Sequence, residues 1–330
     1  MLEVGLAGLG WWGSVMLQAL AGSAHVRIVA AADPDPAKAA VAARHSVRFV
    51  PNVEALLADP ELQGIILCTP QDGHAGQIVA AAMAGKHVFC EKPLCLTRAD
   101  AERAVAACAA HGRVLGVGHE RRFEPPMVDL MARIAGGDLG TILQLEANFS
   151  QDKFLALPPG GWRTSRSNPV GPATATGVHL IDLATAILGP ADHVLANLAT
   201  LATDFENGDT LAMSIRFASG ANALLSAILA TPFDGRVAVY GSAGWAEVRD
   251  KAHPEHSEGW IATYVRRGQP REQIEYPAAG AVRANVEAFA IAAGGGPPYP
   301  IATGQMIDTV AALEAVFASA ATGQPARVPG

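Results

Sequence analysis

The sequence predicts an α/β protein with two domains. A doubly wound parallel sheet is expected over roughly residues 1–120. An α+β domain with a large, mostly antiparallel open sheet is expected over 121–330. Three observations carry this. Short apolar runs alternate with helical segments from Leu2 to about Gly118. The turn Gly8-x-Gly10-x-x-Gly13 joins the first strand to the first helix. Beyond about residue 140 the apolar residues recur with period two, the mark of half-buried strands. A chain of 330 residues also exceeds one ordinary core.

The first half reads strand by strand. Residues 2–7 form an apolar strand, and a helix runs through about Leu20 with Val15, Met16 and Leu20 on its buried side. Val26–Ala32 is the second strand. Asp35 is placed to cap the next helix, with Pro36 in its first turn. Residues 49–51 form a short strand and 53–57 a helix. Residues 64–68 form a buried strand that ends at Thr69-Pro70. His74–Ala84 is a helix, and Gly85 suits the left-handed position after it. Val88-Phe89-Cys90 must stop at Glu91-Lys92-Pro93, because proline cannot donate to a ladder. Thr97 caps a helix over 98–111, and 113–118 is the next strand, leading to His119 through Phe123.

The second half changes character. A helix over 126–135 precedes an alternating strand at 141–150. Residues 151–170 form a Pro/Gly-rich loop. A helix runs from near Thr176 to Gly189. Alternating segments follow at 193–203, 209–217, 221–230, 236–240 and 245–249, with a hairpin at 217–221. Helices over 281–293 and 305–322 close the chain.

Composition excludes several classes. The formal net charge of −7 argues against a nucleic-acid partner. No apolar run approaches the ~18 residues of a membrane span. The N-terminus lacks a basic n-region, so no signal peptide is read and a cytoplasmic location is expected. Cys68, Cys90, Cys95 and Cys108 form no CxxC pair and read as reduced thiols. His253 and His256 flank a proline and a glutamate without a third ligand, so that stretch reads as solvated loop and no metal is expected.

The glycine turn follows a strand, opens a helix and has Asp33 twenty residues beyond Gly13. That context marks a dinucleotide site. Gly8 permits the turn, Gly10 lets backbone approach a pyrophosphate, and the N–H groups at Trp11, Trp12 and Gly13 face it. Asp33 would accept from the adenosine ribose hydroxyls and repel a 2′-phosphate, which favours NAD over NADP. The alternative is a structural glycine turn. Thr69, Pro70 and His74 either line the cofactor near the nicotinamide ribose or cap a helix with an exposed histidine. Lys92 stands at the C-terminal end of a parallel strand, where open α/β sheets bind ligands. Its ammonium can polarise a substrate hydroxyl and relay its proton, and Glu91 can orient it or touch a ribose. His179 and Asp182 share a helix face, and His179 can take a hydroxyl proton. Arg121, Arg122 and Arg163 can clamp a hydroxyl or carboxylate; surface salt bridges are the competing reading, especially for Arg121.

These motifs together resemble the glucose–fructose oxidoreductase / inositol 2-dehydrogenase / rhizopine-catabolism family of NAD(P)-dependent enzymes. The resemblance spans essentially the whole chain. It rests on Gly8 through Gly13, Thr69-Pro70 with His74, Gly85 through Val88 with Glu91-Lys92-Pro93, Gly118 through Phe123, Gly161-Trp-Arg163, Gly177 through Asp182, and Ser319 through Gly323. It implies a Rossmann domain, a second domain whose open sheet makes homodimer or homotetramer contacts, and last helices (about 281–322) that return towards the first domain. It implies Lys92 between nicotinamide and substrate, with a cis Lys92–Pro93 bond. It makes His179 the catalytic histidine and places Arg122 and Asp182 at substrate-contacting positions. Where the family often carries an aspartate four residues before that histidine, this chain has Ala175, so Thr174 or Thr176 would supply a hydroxyl instead. The implied activity is reversible oxidation of a secondary alcohol of a sugar, cyclitol or cyclic dihydrodiol, with hydride passing to nicotinamide C4. The alternatives are an NAD-using glycosidase and a non-catalytic NAD/sugar sensor.

Overall fold

The structure is a computed structural model in which residues 1–157 and 161–330 are described. Residues 158–160 of the expected 151–170 loop lie outside the described residues. The chain divides into two compact units, Met1–Phe123 with Gly280–Val310, and Glu124–Ala279 with Ala311–Gly330.

The first unit is built on β1 (Leu2–Ala7), β2 (Val26–Ala32), β3 (Arg48–Val50), β4 (Gly64–Leu67), β5 (His87–Cys90) and β6 (Leu115–Val117). They form one sheet of order β3-β2-β1-β4-β5-β6, and every pair in it is parallel. The order reverses between β1 and β4, which opens a crevice at the strands' carboxyl ends. The crossover helices are α1 (Trp11–Leu20), α2 (Ala39–Arg44), α3 (Val53–Leu57), α4 (His74–Met83) and α5 (Arg98–Ala110). Their starts are chemically marked. Asp35 accepts from the Ala37 N–H, Asn52 from Ala55 and Thr97 from Asp100. Strands β4 and β6 are buried throughout, as a sheet covered on both faces requires. The helix Ala281–Ala293 belongs to this unit and sets Phe289 edge-on to Phe89 of β5, with ring centroids 5.6 Å apart. A side chain at Gly116 would meet Phe89 at 2.8 Å, so that glycine makes room for the pair. Tyr299 accepts from the Val117 N–H and donates to Asn285, whose amide donates to the Val117 carbonyl.

The second unit holds α6 (Pro125–Ala135), α7 (Val178–Leu188) and a nine-stranded sheet. Its strands are β7 (Ile142–Ser150), β8 (Ala191–Ala199), β9 (Thr210–Phe217), β10 (Asn222–Ile228), β11 (Asp234–Gly241), β12 (Gly244–Asp250), β13 (Trp260–Arg266), β14 (Glu272–Tyr276) and β15 (Ala326–Arg327). The order is β14-β13-β12-β11-β7-β10-β9-β8-β15. Among the described strands of this sheet, only β7 and β10 pair in parallel. One face buries Leu145, Phe149, Met213, Ile215, Leu225, Val237 and Val239 with Leu180 and Leu183 of α7. The other face carries polar residues such as Glu146, Arg236 and Glu247, which is the alternation expected. The Ala281–Ala293 helix is α8, and α9 spans Thr303–Thr322.

Three strands escape the sequence reading. β14 has a charged, edge-like composition, β15 is two residues long, and β13 interrupts its apolar set with Thr263 and Arg266. The helix before His179 also starts earlier than expected. Helical turns begin at Gly171, and 173–177 form a π-helical turn that feeds α7. Gly171-Pro172 reads as a breaker in sequence, yet proline is well tolerated in a helix's first turn. Among the described residues, no helix is long and apolar enough to cross a membrane.

Candidate active site

In the first unit the glycine turn is fixed by sterics. Gly8 has φ +92°, and a Cβ there would lie 2.6 Å from the Cys68 carbonyl oxygen. A Cβ on Gly13 would lie 2.0 Å from the Gly8 oxygen, so α1 can approach β1 only with glycine there. Gly10 differs, since a Cβ would meet nothing within 4 Å. Its backbone faces open space. The α1 N-terminus carries no side-chain cap and no acidic residue in its first turn. An uncapped helix start beside an open glycine fits the pyrophosphate of a dinucleotide. Trp12 is half-buried and Trp11 half-exposed, their rings in edge contact. Asp33 closes the turn. Its carboxylate accepts from the Leu9 N–H at 2.7 Å and from the Asp35 N–H at 3.0 Å. The carboxylate therefore ties the end of β2 to the glycine loop and holds a defined position beside it.

The loop after β4 is tied to the loop after β5. His74 is buried at 1% exposure, not exposed. Its Nδ1 lies 2.9 Å from the Pro93 carbonyl oxygen and its Nε2 3.0 Å from that of Thr69. The ring thus brackets Thr69-Pro70 and Lys92-Pro93 through backbone, while the Thr69 hydroxyl donates to Gln77. Burial holds the imidazole below its ordinary pKa, against the raising effect of those carbonyls.

Glu91 ends β5, its N–H bonded to the Leu67 carbonyl. Its side chain is buried and its Oε2 accepts from the Lys92 N–H at 3.2 Å. A Cβ on Gly118 would lie 2.6 Å from the same carboxyl, so Gly118 leaves the space that Glu91 fills. Burial first, and the Glu120 carboxylate second, push Glu91 up to about 8, with Trp12 and Lys92 pulling back in part. A carboxyl with a raised folded-state pKa holds a proton that the unfolded chain releases. Its stabilising share is present below the ordinary value of 4.5 and is lost as pH rises towards about 8. The loss should be on the order of a few kcal/mol. Glu91→Gln mimics the protonated form, so its thermal midpoint, followed from about pH 5 to 9, should show a shallower fall than wild type. Parallel curves would assign the slope to other groups.

Lys92 is half-buried at the carboxyl end of β5, and the Lys92–Pro93 bond is cis. Arg122 is buried and donates to Gln305 at 2.9 Å. Arg121, expected in a surface salt bridge, is 2% exposed. The short turn 120–123 faces α8, which covers it in a way local sequence does not announce.

In the second unit the site residues converge on the entrance to α7. Thr174 of the π-turn donates to the Asn168 side chain at 3.0 Å. Thr176 is buried, its hydroxyl 3.5 Å from the Pro172 carbonyl. His179 and Asp182 follow on α7, both buried. Val170 precedes the turn at φ +47°, a costly conformation for a β-branched residue. Strain and a π-turn together are typical of functional sites. His179 packs on Phe149 of β7, with ring centroids 5.9 Å apart. Phe149 in turn meets Phe233 and His253. His253 is therefore no solvated loop residue, because its Nε2 lies 2.6 Å from the Gln151 side-chain oxygen and its ring packs on Phe233. Arg163 sits on a turn, Trp162–Thr164, with its guanidinium 4.5 Å over the Trp162 ring. Asn168 and Asn207 hold its carbonyl. Sequence spacing gave no hint of Phe149, Gln151 or Asn207 here, since sheet pairing and loop packing bring them in from distant segments. Among the described residues no His/Cys/Asp/Glu group could hold a metal.

A parallel sheet of this order, a glycine turn at a helix start and an acid at the end of β2 define a dinucleotide-binding protein of the Rossmann class. Comparison with known proteins narrows it. The family described as "Oxidoreductase family, NAD-binding Rossmann fold" matches residues 2–119, and the "GFO/IDH/MocA C-terminal domain" matches residues 127–247. The chain belongs to the GFO/IDH/MocA family of oxidoreductases. It is 33% identical to inositol 2-dehydrogenase of Rhizobium meliloti over 254 residues, 74% of each chain. It is 27% identical to D-xylose 1-dehydrogenase (NADP(+)) 2 of Haloferax volcanii over 272 residues, 82% of each. A levoglucosan dehydrogenase, solved with NADH and L-sorbose, shares the fold with a TM-score of 0.86 at 24% identity over 99% of both chains. The chain is an NAD(P)-dependent oxidoreductase acting on CH–OH groups.

Proposed function

We propose that this enzyme is an NAD-dependent dehydrogenase that oxidises a secondary alcohol of a sugar, cyclitol or cyclic dihydrodiol to a ketone. The observation that carries the reading is Lys92, half-buried at the carboxyl end of β5 in a loop that His74 pins to the loop after β4. When bound, nicotinamide supplies the hydride acceptor. Gly8 permits the turn, its own N–H donating to the Ala32 carbonyl, while Gly10, Trp11, Trp12 and Gly13 hold the pyrophosphate by backbone and Asp33 holds the adenosine ribose. Thr69, Pro70 and Glu91 line the nicotinamide end. Lys92 polarises the substrate hydroxyl and His179 takes its proton, while Arg122, Arg163, Thr176 and Asp182 orient the remaining substrate oxygens.

Appearance of the NADH absorbance band during incubation with NAD and a panel of polyols, aldoses, cyclitols and dihydrodiols tests this reading. NADH fluorescence titration is the binding control. Binding without any absorbance rise across the panel would remove the dehydrogenase.

Preference for NAD rests on Asp33. Asp33→Asn keeps an acceptor for the Leu9 N–H but removes the charge that repels a 2′-phosphate. The ratio of NADPH to NADH dissociation constants, read by fluorescence, should fall by about 10-fold or more. An unchanged ratio would place selectivity elsewhere.

A further inference from the structure

Arginines of the second unit that are partly withdrawn from water have carboxylate partners. Arg133 pairs with Glu272 and Asp129, and Arg236 with Glu146 and Glu247. Arg163 is different. It is half-buried, yet among the described residues no carboxylate lies within ion-pairing distance of it. Two acids of the same loop network are committed to backbone. Glu206 accepts from the Arg166 N–H at 3.1 Å, and Asp209 accepts from the N–H groups of Leu201, Ala202 and Thr203. Burial alone holds the Arg163 guanidinium below its ordinary pKa, with no acid to offset it. Guanidinium does not escape this cost by losing its proton.

The position is also built. The Arg163 carbonyl accepts from Asn207 Nδ2 at 2.8 Å and from Asn168 Nδ2 at 3.1 Å. Asn207 is 5% exposed, and its carbonyl takes the Gly171 N–H at 2.8 Å. Asn168 receives the Thr174 hydroxyl, so the turn bearing Arg163 is fastened to the π-turn that leads into His179. The guanidinium lies 4.5 Å over the Trp162 ring, a contact that leaves its edge donors to a planar anion.

We propose that Arg163 is the counter-ion for a carboxylate on the substrate, so that the alcohol oxidised belongs to a hydroxy acid of the sugar-acid or carboxylated-cyclitol kind. This rests on the reading of residues 161–182 as the substrate half, and it narrows that reading from neutral polyols to their acids. A carboxylate held by both edge nitrogens replaces the water that burial removes, and it selects against an uncharged analogue that leaves the cation unpaired.

The test uses the full chain with matched probes: D-glucose against D-gluconate and D-glucuronate, myo-inositol against quinate, and glucose 6-phosphate as a non-planar anion. NADH formation and calorimetric titration onto the NADH-saturated protein are read for wild type, Arg163→Met and Arg163→Lys, with thermal midpoints as the folding control. A carboxylated probe should bind wild type, and Arg163→Met should weaken that binding by about 10–100-fold, with partial recovery in Arg163→Lys. The kcat/KM ratio of carboxylated over neutral partner should fall by the same factor. Preference for the neutral or the phosphorylated probes, equal losses on charged and neutral partners, or no heat with any carboxylate would overturn the proposal. Carboxylate binding that depends on Arg163, with no NADH formed from any probe, would uphold it and remove the dehydrogenase reading instead.

Discussion

Lys92→Met should lower kcat by about 10²–10⁴-fold while NADH affinity stays within a few-fold of wild type. Methionine preserves the length and apolar stem of the side chain, so the loop that His74 fastens to Thr69 and Pro93 keeps its anchor. What is lost is the ammonium proposed to polarise the hydroxyl in the transition state. Lys92→Arg sharpens the test, because guanidinium keeps the charge but does not give up a proton near neutral pH. It should remain impaired even where substrate binding survives. Steady-state kinetics and NADH titration on the same preparations decide the matter. Near-wild-type turnover in either variant would take Lys92 out of the chemistry.

The second large effect concerns His179. His179→Asn should cost about 10²–10⁴-fold in kcat/KM. The flanking change is more informative. Ala175 stands where the family resemblance leads one to expect an aspartate, and here His179 is backed by the ring of Phe149. Ala175→Asp would bring a carboxylate to the π-turn, four residues before His179. A neighbouring negative charge stabilises imidazolium and raises its pKa. A base must be neutral to act, so the acid limb of the kcat/KM profile should move to higher pH. The shift should vanish in the double variant with His179→Asn. An acid limb that stays in place in Ala175→Asp would mean that another group is the base.

Much of this was legible in the sequence, because the signals are local. Gly8-x-Gly10-x-x-Gly13 and Asp33 fall where strand and helix ends put them, and the caps at Asp35 and Thr97 form as their residue types demand. Glu91-Lys92-Pro93 announces its own strand end. What stayed hidden depends on distant segments. His74 could be read as exposed because nothing near it foretells that Pro93 supplies its second carbonyl. Arg121 vanishes from the surface under α8, more than a hundred residues away. His253 reads as solvated until strands bring Phe149 and Phe233 beside it. The π-turn at 173–177 is invisible for another reason, since a single inserted residue in a helix leaves no periodic trace over so short a stretch.

The glycine contacts bear on how such an enzyme can diversify. At Gly13 and Gly8 the obstacle to any side chain is backbone, 2.0 and 2.6 Å away, which no neighbouring rotamer can relieve. Drift at these positions removes the turn outright, whereas at Gly118 the obstacle is only the Glu91 carboxyl group. The cofactor half is therefore closed to gradual change around its turn, and a duplicated copy would inherit it unaltered. The 163–171 and 251–258 segments carry no such backbone veto. The 163–171 segment is held by amide side chains, and the 251–258 segment by a histidine and an ion pair of Lys153 with Glu255. Such holds can be exchanged one residue at a time, so new substrates can be acquired by a lineage without reinventing how it handles hydride.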